Sequence, residues 1–159
     1  MLYRSRILDG GCAWLILPEV QAQLDDLQNH DSFAVGALKG LREEATNPGM
    51  ILTMWREPID YRAPIPQAPD RVVNPPWLGE LKATGKRRKG KAGLEWRLYF
   101  SEPIETSNLV VACGLGWKDP AESAQEGTTR QQTSIRAAMG LFKRYCRESK
   151  QTYPPFEPR

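Results

Sequence analysis

Histidine is almost missing from this chain. Its 159 residues contain one, His30. That excludes a metal site built from several histidines, and it excludes a two-histidine acid–base pair for RNA cleavage. It also leaves a Ser/His/Asp triad without plausible partners. Cysteine is scarce too. Cys12, Cys113 and Cys146 form an odd set without close pairs, which argues against a disulfide framework and against a cysteine zinc site. A reducing, cytoplasmic setting is expected. No apolar run reaches about 18 residues, so no membrane-spanning helix is expected. The N-terminus carries no apolar signal segment. Gly114-Leu115-Gly116 lacks the third glycine and the following helix of a dinucleotide site. Neither a metal nor a cofactor is therefore expected.

What is present reads as one folded domain over residues 1–159. Apolar residues make up 40% and charged residues 26%, an ordinary globular composition. The formal charge of +3 is mild, but its placement is not. Lys82, Lys86, Arg87, Arg88, Lys89, Lys91 and Arg97 crowd together beside a single acid, Glu95. Arg130, Arg136, Lys143, Arg144, Arg147 and Lys150 form a second group. Two basic clusters predict a polyanionic partner, with a solvated surface as the plainer alternative.

Residues 12–17 read as a buried strand, ended by Pro18, which also suits a helix start. Val20, Leu24 and Leu27 recur at helical spacing to about Gln28. Asp31 or Ser32 caps a second helix with the stripe Phe33, Ala37, Leu38, Leu41 and Ala45, stopped at Asn47-Pro48-Gly49. Together these form a helical hairpin. Residues 48–76 read as an ordered, proline-rich insertion or long loop, with a short strand from Met50 to Trp55 and packing by Trp55 and Tyr61.

Residues 78–83 and 94–101 form an antiparallel hairpin around the basic turn 84–93. Alternation sends Trp96, Leu98 and Phe100 onto the helices, and Glu95, Arg97 and Tyr99 to an open face. Residues 108–113 add a third strand that leads into a glycine-rich turn. After a polar loop at 119–127, Thr128 or Thr129 caps a last helix whose apolar positions are Ile135, Ala138, Met139, Leu141 and Phe142. An extended tail begins at Thr152. The fold class is therefore α+β: a small antiparallel sheet of about four strands, an N-terminal helical hairpin and a C-terminal helix.

Four segments carry a family resemblance: WLGELKATG (Trp77–Gly85), GLEWRLYFSEP (Gly93–Pro103), LVVACGLGWK (Leu109–Lys118) and the helix IRAAMGLFKRY (Ile135–Tyr145). In this order, behind a strand and two helices, they resemble the RelE/HigB-like toxin superfamily over about 100 residues. The resemblance implies an endoribonuclease that cuts mRNA, often in the ribosomal A site, held inactive by an antitoxin protein. It maps Arg97 onto the strand arginine that contacts the scissile phosphate, Lys118 onto the basic residue after the last strand, and Lys82 onto the basic residue closing the second strand. Three departures bear on catalysis. The 48–76 insertion is long, Glu80 stands where the most basic members carry lysine, and only Tyr145 and Tyr153 lie near the expected C-terminal proton-transfer residue.

The chemistry is consistent with that mapping and needs no metal. Arg97 can fork onto two phosphate oxygens, and Lys118 can add a second cation or act as acid or base. Tyr145 is the candidate for proton transfer. Tyr99, two residues from Arg97, is placed to stack on a base. Lys86, Arg87, Arg88, Lys89 and Lys91 read as a sequence-independent phosphate grip, and Arg130 as a further RNA contact. Trp117 reads as a lid on the core, with base stacking as the alternative. His30 reads as structural or exposed, and Cys113 as core packing. A non-catalytic module binding RNA, ribosome or protein on the same fold is the rival function. The pattern leaves the oligomeric state open, a homo-oligomer included.

Overall fold

The computed structural model describes residues 5–7, 11–47, 55–56 and 75–155. The class is α+β, as expected. In chain order come β1 (Ala13–Ile16), α1 (Pro18–His30), α2 (Ser32–Thr46), β2 (Trp55–Arg56), β3 (Gly79–Thr84), β4 (Glu95–Ser101), β5 (Leu109–Lys118) and α3 (Ala124–Ser149). The strands form one sheet in the order β1-β5-β4-β3-β2. The sheet is mixed, which corrects the antiparallel expectation: β1 runs parallel to β5, pairing Ala13 with Leu109 and Ile16 with Ala112. A parallel neighbour needs a crossover, and the helical hairpin and the later strands supply one.

Pro18 occupies the first turn of α1, where its missing N–H loses nothing. Asp31 caps α2, accepting from the Ala34 amide at 3.0 Å. Val20, Leu24, Leu27, Ala34, Leu38 and Ala45 are buried. Phe33, expected in the apolar stripe of α2, is instead exposed, because the buried face is set by Ala34 and Leu38. β1 was expected to be buried but alternates between exposed and half-buried, as an edge strand does. The short strand expected to end at Trp55 is the two-residue β2, paired with Leu81 and Glu80. The remainder of the 48–74 segment, Tyr61 included, lies outside the described residues.

β5 continues through the glycines that were read as a turn. Gly114, Gly116 and Lys118 pair with Tyr99, Arg97 and Glu95, and the register shifts once, at Tyr99/Phe100. The last helix also starts earlier than expected. Ser123 caps it by accepting from the Glu126 amide at 3.2 Å, so Ala124–Thr129 is helix rather than loop and lead-in.

Helices cover both faces of the sheet. On one, Trp14 and Trp77 meet the Phe100 ring edge-on, with centroids 5.6 and 5.9 Å away. Asp31, between α1 and α2, lies beside Gly85 and Trp96 on this face. On the other, α3 lies close enough to β5 that a Cβ on Gly114 would sit 2.6 Å from the Ala138 Cβ. The tail is extended to Pro155, with Pro155 bridged to Pro76 and the Trp77 amide donating to the Pro154 carbonyl at 2.7 Å.

Candidate functional site

The three cations mapped from the resemblance share one face of the sheet. Lys82 stands opposite Arg97 on β3 and β4, and Lys118 stands opposite Glu95 on β4 and β5. Directly opposed residues of antiparallel strands point the same way, so Lys82, Arg97 and Lys118 share this face with Glu80 and Glu95, the Lys118 side chain lying along Gly127 of α3. The expected open face is thus a network of mixed charge. Arg97 Nε lies 3.4 Å from Glu80 and Nη2 3.3 Å from Glu95, while Lys82 Nζ lies 3.4 Å from Glu95. The Arg97 side chain is only 9% exposed. Two carboxylates already hold the guanidinium that a phosphate would need.

Tyr99 is not on an open surface, which corrects the stacking assignment. It is buried beneath α3, its ring carbons 3.2 and 3.3 Å from where side chains on Gly114 and Gly116 would begin. Burial pushes its phenol well above its ordinary pKa, with Glu80 adding to the shift and Arg97 opposing it. Tyr145 is remote from Arg97. Ser134 of α3 packs at Gly116, opposite Arg97, and Tyr145 lies about 16 Å further along the helix. Tyr145 instead stacks on Phe142. The candidate proton donor and the candidate phosphate-binding cations are therefore not brought together.

The basic turn is better placed. Arg88 and Lys91 exchange two backbone hydrogen bonds, and Gly90 takes a φ of +69°, which a glycine adopts without strain. Arg88 is not a free cation. Its guanidinium donates to Asp119 at 2.9 and 3.1 Å and to the Ala92 carbonyl at 2.9 and 3.1 Å. The Arg88 side chain, with help from the Ala121 amide, lowers the Asp119 carboxyl to about 2. On the other side, the Lys86 amide donates to both Asp31 oxygens, at 3.1 and 3.3 Å. The turn is therefore held at its base. It presents Lys86, Arg87, Lys89 and Lys91 exposed, and none of these side chains is in an ion pair among the described residues.

A cleft of about 470 Å³ opens beside this turn. It exists because β1 is shorter than β5: past Ala112, β5 has β4 on one side only among the described residues. Trp96, Trp117, Leu94 and Leu115 wall it from the sheet, and Leu27, Asp26 and His30 from α1. Arg130 and Ser134 come round from α3, and Lys86 and Arg88 stand at the rim. The indoles of Trp96 and Trp117 lie 6.5 Å apart, tilted by 48°. The Arg130 guanidinium sits 3.9 Å over the Trp117 ring and is paired with Glu122. His30 Nδ1 lies 2.8 Å from the Asp26 carbonyl. A carbonyl only accepts, so Nδ1 carries the proton and Nε2 of the neutral ring is an acceptor.

Sequence reading missed the role of His30 and Trp96 in this cleft. The available signal was position: His30 directly precedes the capping residue to which the basic turn is tied. Among the described residues, no group of His, Cys, Asp or Glu is placed to hold a metal, and no helix is long and apolar enough to cross a membrane. Comparison with protein-family models, with curated proteins and with solved structures found no match.

Proposed function

We propose that this chain is an RNA-binding protein on a RelE/HigB-like fold. The observation that carries the reading is the clamped basic turn, with four exposed cations lacking an ion-pair partner among the described residues. A flexible charge run would lose conformational entropy on gripping a phosphate chain. A turn fixed by Arg88–Asp119 and Asp31 has already lost most of it. The element order of strand, helical hairpin, four antiparallel strands (the first, β2, of two residues) and long helix supports the family resemblance. The reading places the protein in the cytoplasm, where its three free, buried thiols stay reduced.

Binding through four cations has a measurable signature. On a single strand the log–log slope of affinity against salt is about −3, an approximately fiftyfold loss between 50 and 200 mM. Replacing Lys86, Arg87, Lys89 and Lys91 together by glutamine should flatten that slope and abolish binding at 200 mM salt. Equal affinity of wild type and variant would overturn the reading.

A second reading, an mRNA-cutting toxin restrained by an antitoxin, is favoured by one observation: the register gathers Lys82, Arg97 and Lys118 on one face. Against it stand the two carboxylates on Arg97 and the distant Tyr145. Primer extension on mRNA after brief induction decides between cleavage and binding. Discrete new 5′ ends that vanish in Lys82→Ala or Lys118→Ala would establish cleavage. Intact mRNA with folded protein would leave binding alone. Lys82 and Lys118 are better choices than Arg97, whose buried side chain ties Glu80 to Glu95.

A further inference from the structure

We propose that the cleft at the free edge of β5 binds one unpaired base of the RNA strand, a deeper claim that rests on the RNA-binding reading above. Its walls suit a flat heteroaromatic ring. Trp96 and Trp117 are tilted by 48° rather than stacked on each other, so their faces are not used up in mutual contact. Arg130 covers one face of Trp117 from 3.9 Å and extends the stacking surface with a planar cation. Stacking on such aromatics contributes about ten- to hundredfold in affinity per base.

The polar groups are arranged for a base with its phosphate to one side. The edge of β5 past Ala112 has no second strand among the described residues, and Gly116 lines the cleft. A strand edge offers alternating N–H and C=O groups, which is what the edge of a base hydrogen-bonds. His30 Nε2 adds an acceptor. Charge then sets the direction. Asp31 is committed to the Ala34 and Lys86 amides, and Asp119 to Arg88. Asp26, in the last turn of α1, is exposed and lies 3.9 Å from the His30 ring. It disfavours phosphate beside its own carboxylate, while the exposed Lys86, Arg87 and Lys89 draw phosphate along the basic turn. The base lies inward and the backbone follows the turn.

Fluorescence anisotropy with a labelled eight-nucleotide single-stranded RNA, and with the same strand annealed to its complement, tests this. The wild type should bind the single strand at least tenfold tighter than the duplex, with quenching of indole fluorescence. Trp117→Ala should remove the preference while leaving duplex affinity unchanged. Gln23→Trp, on the exposed surface of α1 at the cleft, fills the space without touching the core and should act the same way, which covers the case where Trp117→Ala does not fold. Equal binding of single strand and duplex by wild type, each weakening with salt, would overturn the base site while leaving the RNA reading intact. So would undiminished preference in Gln23→Trp. Binding of neither RNA would overturn both and point to a protein occupant.

Discussion

Asp31 joins α2 to the β3–β4 hairpin through one carboxylate. It caps α2 and receives the Lys86 amide, and it lies against Gly85 at the foot of the hairpin. Asp31→Ala removes the cap and leaves the Lys86 amide without its acceptor, so a loss of about 2 kcal/mol is expected by urea denaturation, with Asp31→Asn losing less. Glu102 makes the opposite case. It is fully buried, and burial raises its carboxyl above the ordinary 4.5 despite the Ser5 hydroxyl and the Arg6 amide and guanidinium. A folded-state pKa above the unfolded one means that the group's contribution to stability is complete below 4.5 and is lost as pH rises through the folded value. Glu102→Gln should therefore melt higher than wild type at pH 7, with the gap closing as pH falls toward 4 in a thermal-melt series. Arg97 belongs to the same account. Removing it leaves Glu80 and Glu95 short of a buried cation, a loss of about 3 kcal/mol or more by denaturant titration.

Among the elements, β5 and α3 carry most of what the sequence concealed. Helical spacing located α1 and α2, and period-two alternation located β3 and β4 with their faces nearly in register. Gly114-Leu115-Gly116 looked like a turn because glycine is poor in isolated strands. It is a strand because α3 has to approach there, and only a residue without a Cβ admits Ala138. Gly114→Ala should overpack that contact and lose about 1–3 kcal/mol by urea denaturation. The burial of Tyr99 and the Arg88–Asp119 clamp were equally hidden, because each depends on a partner far along the chain. By contrast, the gathering of Lys82, Arg97 and Lys118 on one face was readable from alternation alone. The clamp has its own pH signature. Asp119 is lowered to about 2 from 3.8, so its contribution is present above 3.8 and is lost as pH falls through about 2. Hydrogen exchange should show the Arg88 and Lys91 amides protected down to pH 3 and released by Asp119→Asn.

At the scale of the molecule, both ends of the described chain are tied to the middle. Arg6 donates to the carbonyls of Pro103 and Ile104, and the Ile104 amide donates to Thr152. The tail then runs on to Pro76 and Trp77. Removing residues 152–159 deletes the Pro154 carbonyl that accepts from the Trp77 amide and the Pro155–Pro76 bridge, so cooperative unfolding should begin at lower urea in the truncated chain.

The parallel pairing of β1 with β5 also sets an order of events during synthesis. The partners of Ala13–Ile16 begin at Leu109, about a hundred residues later, an interval of about 5–20 s at ordinary elongation rates. For that interval the helical hairpin can already form from local contacts, while the first strand has an unsatisfied edge on the nascent chain. A protein whose first strand waits for its last is a natural client of whatever factors hold nascent chains at the ribosome exit.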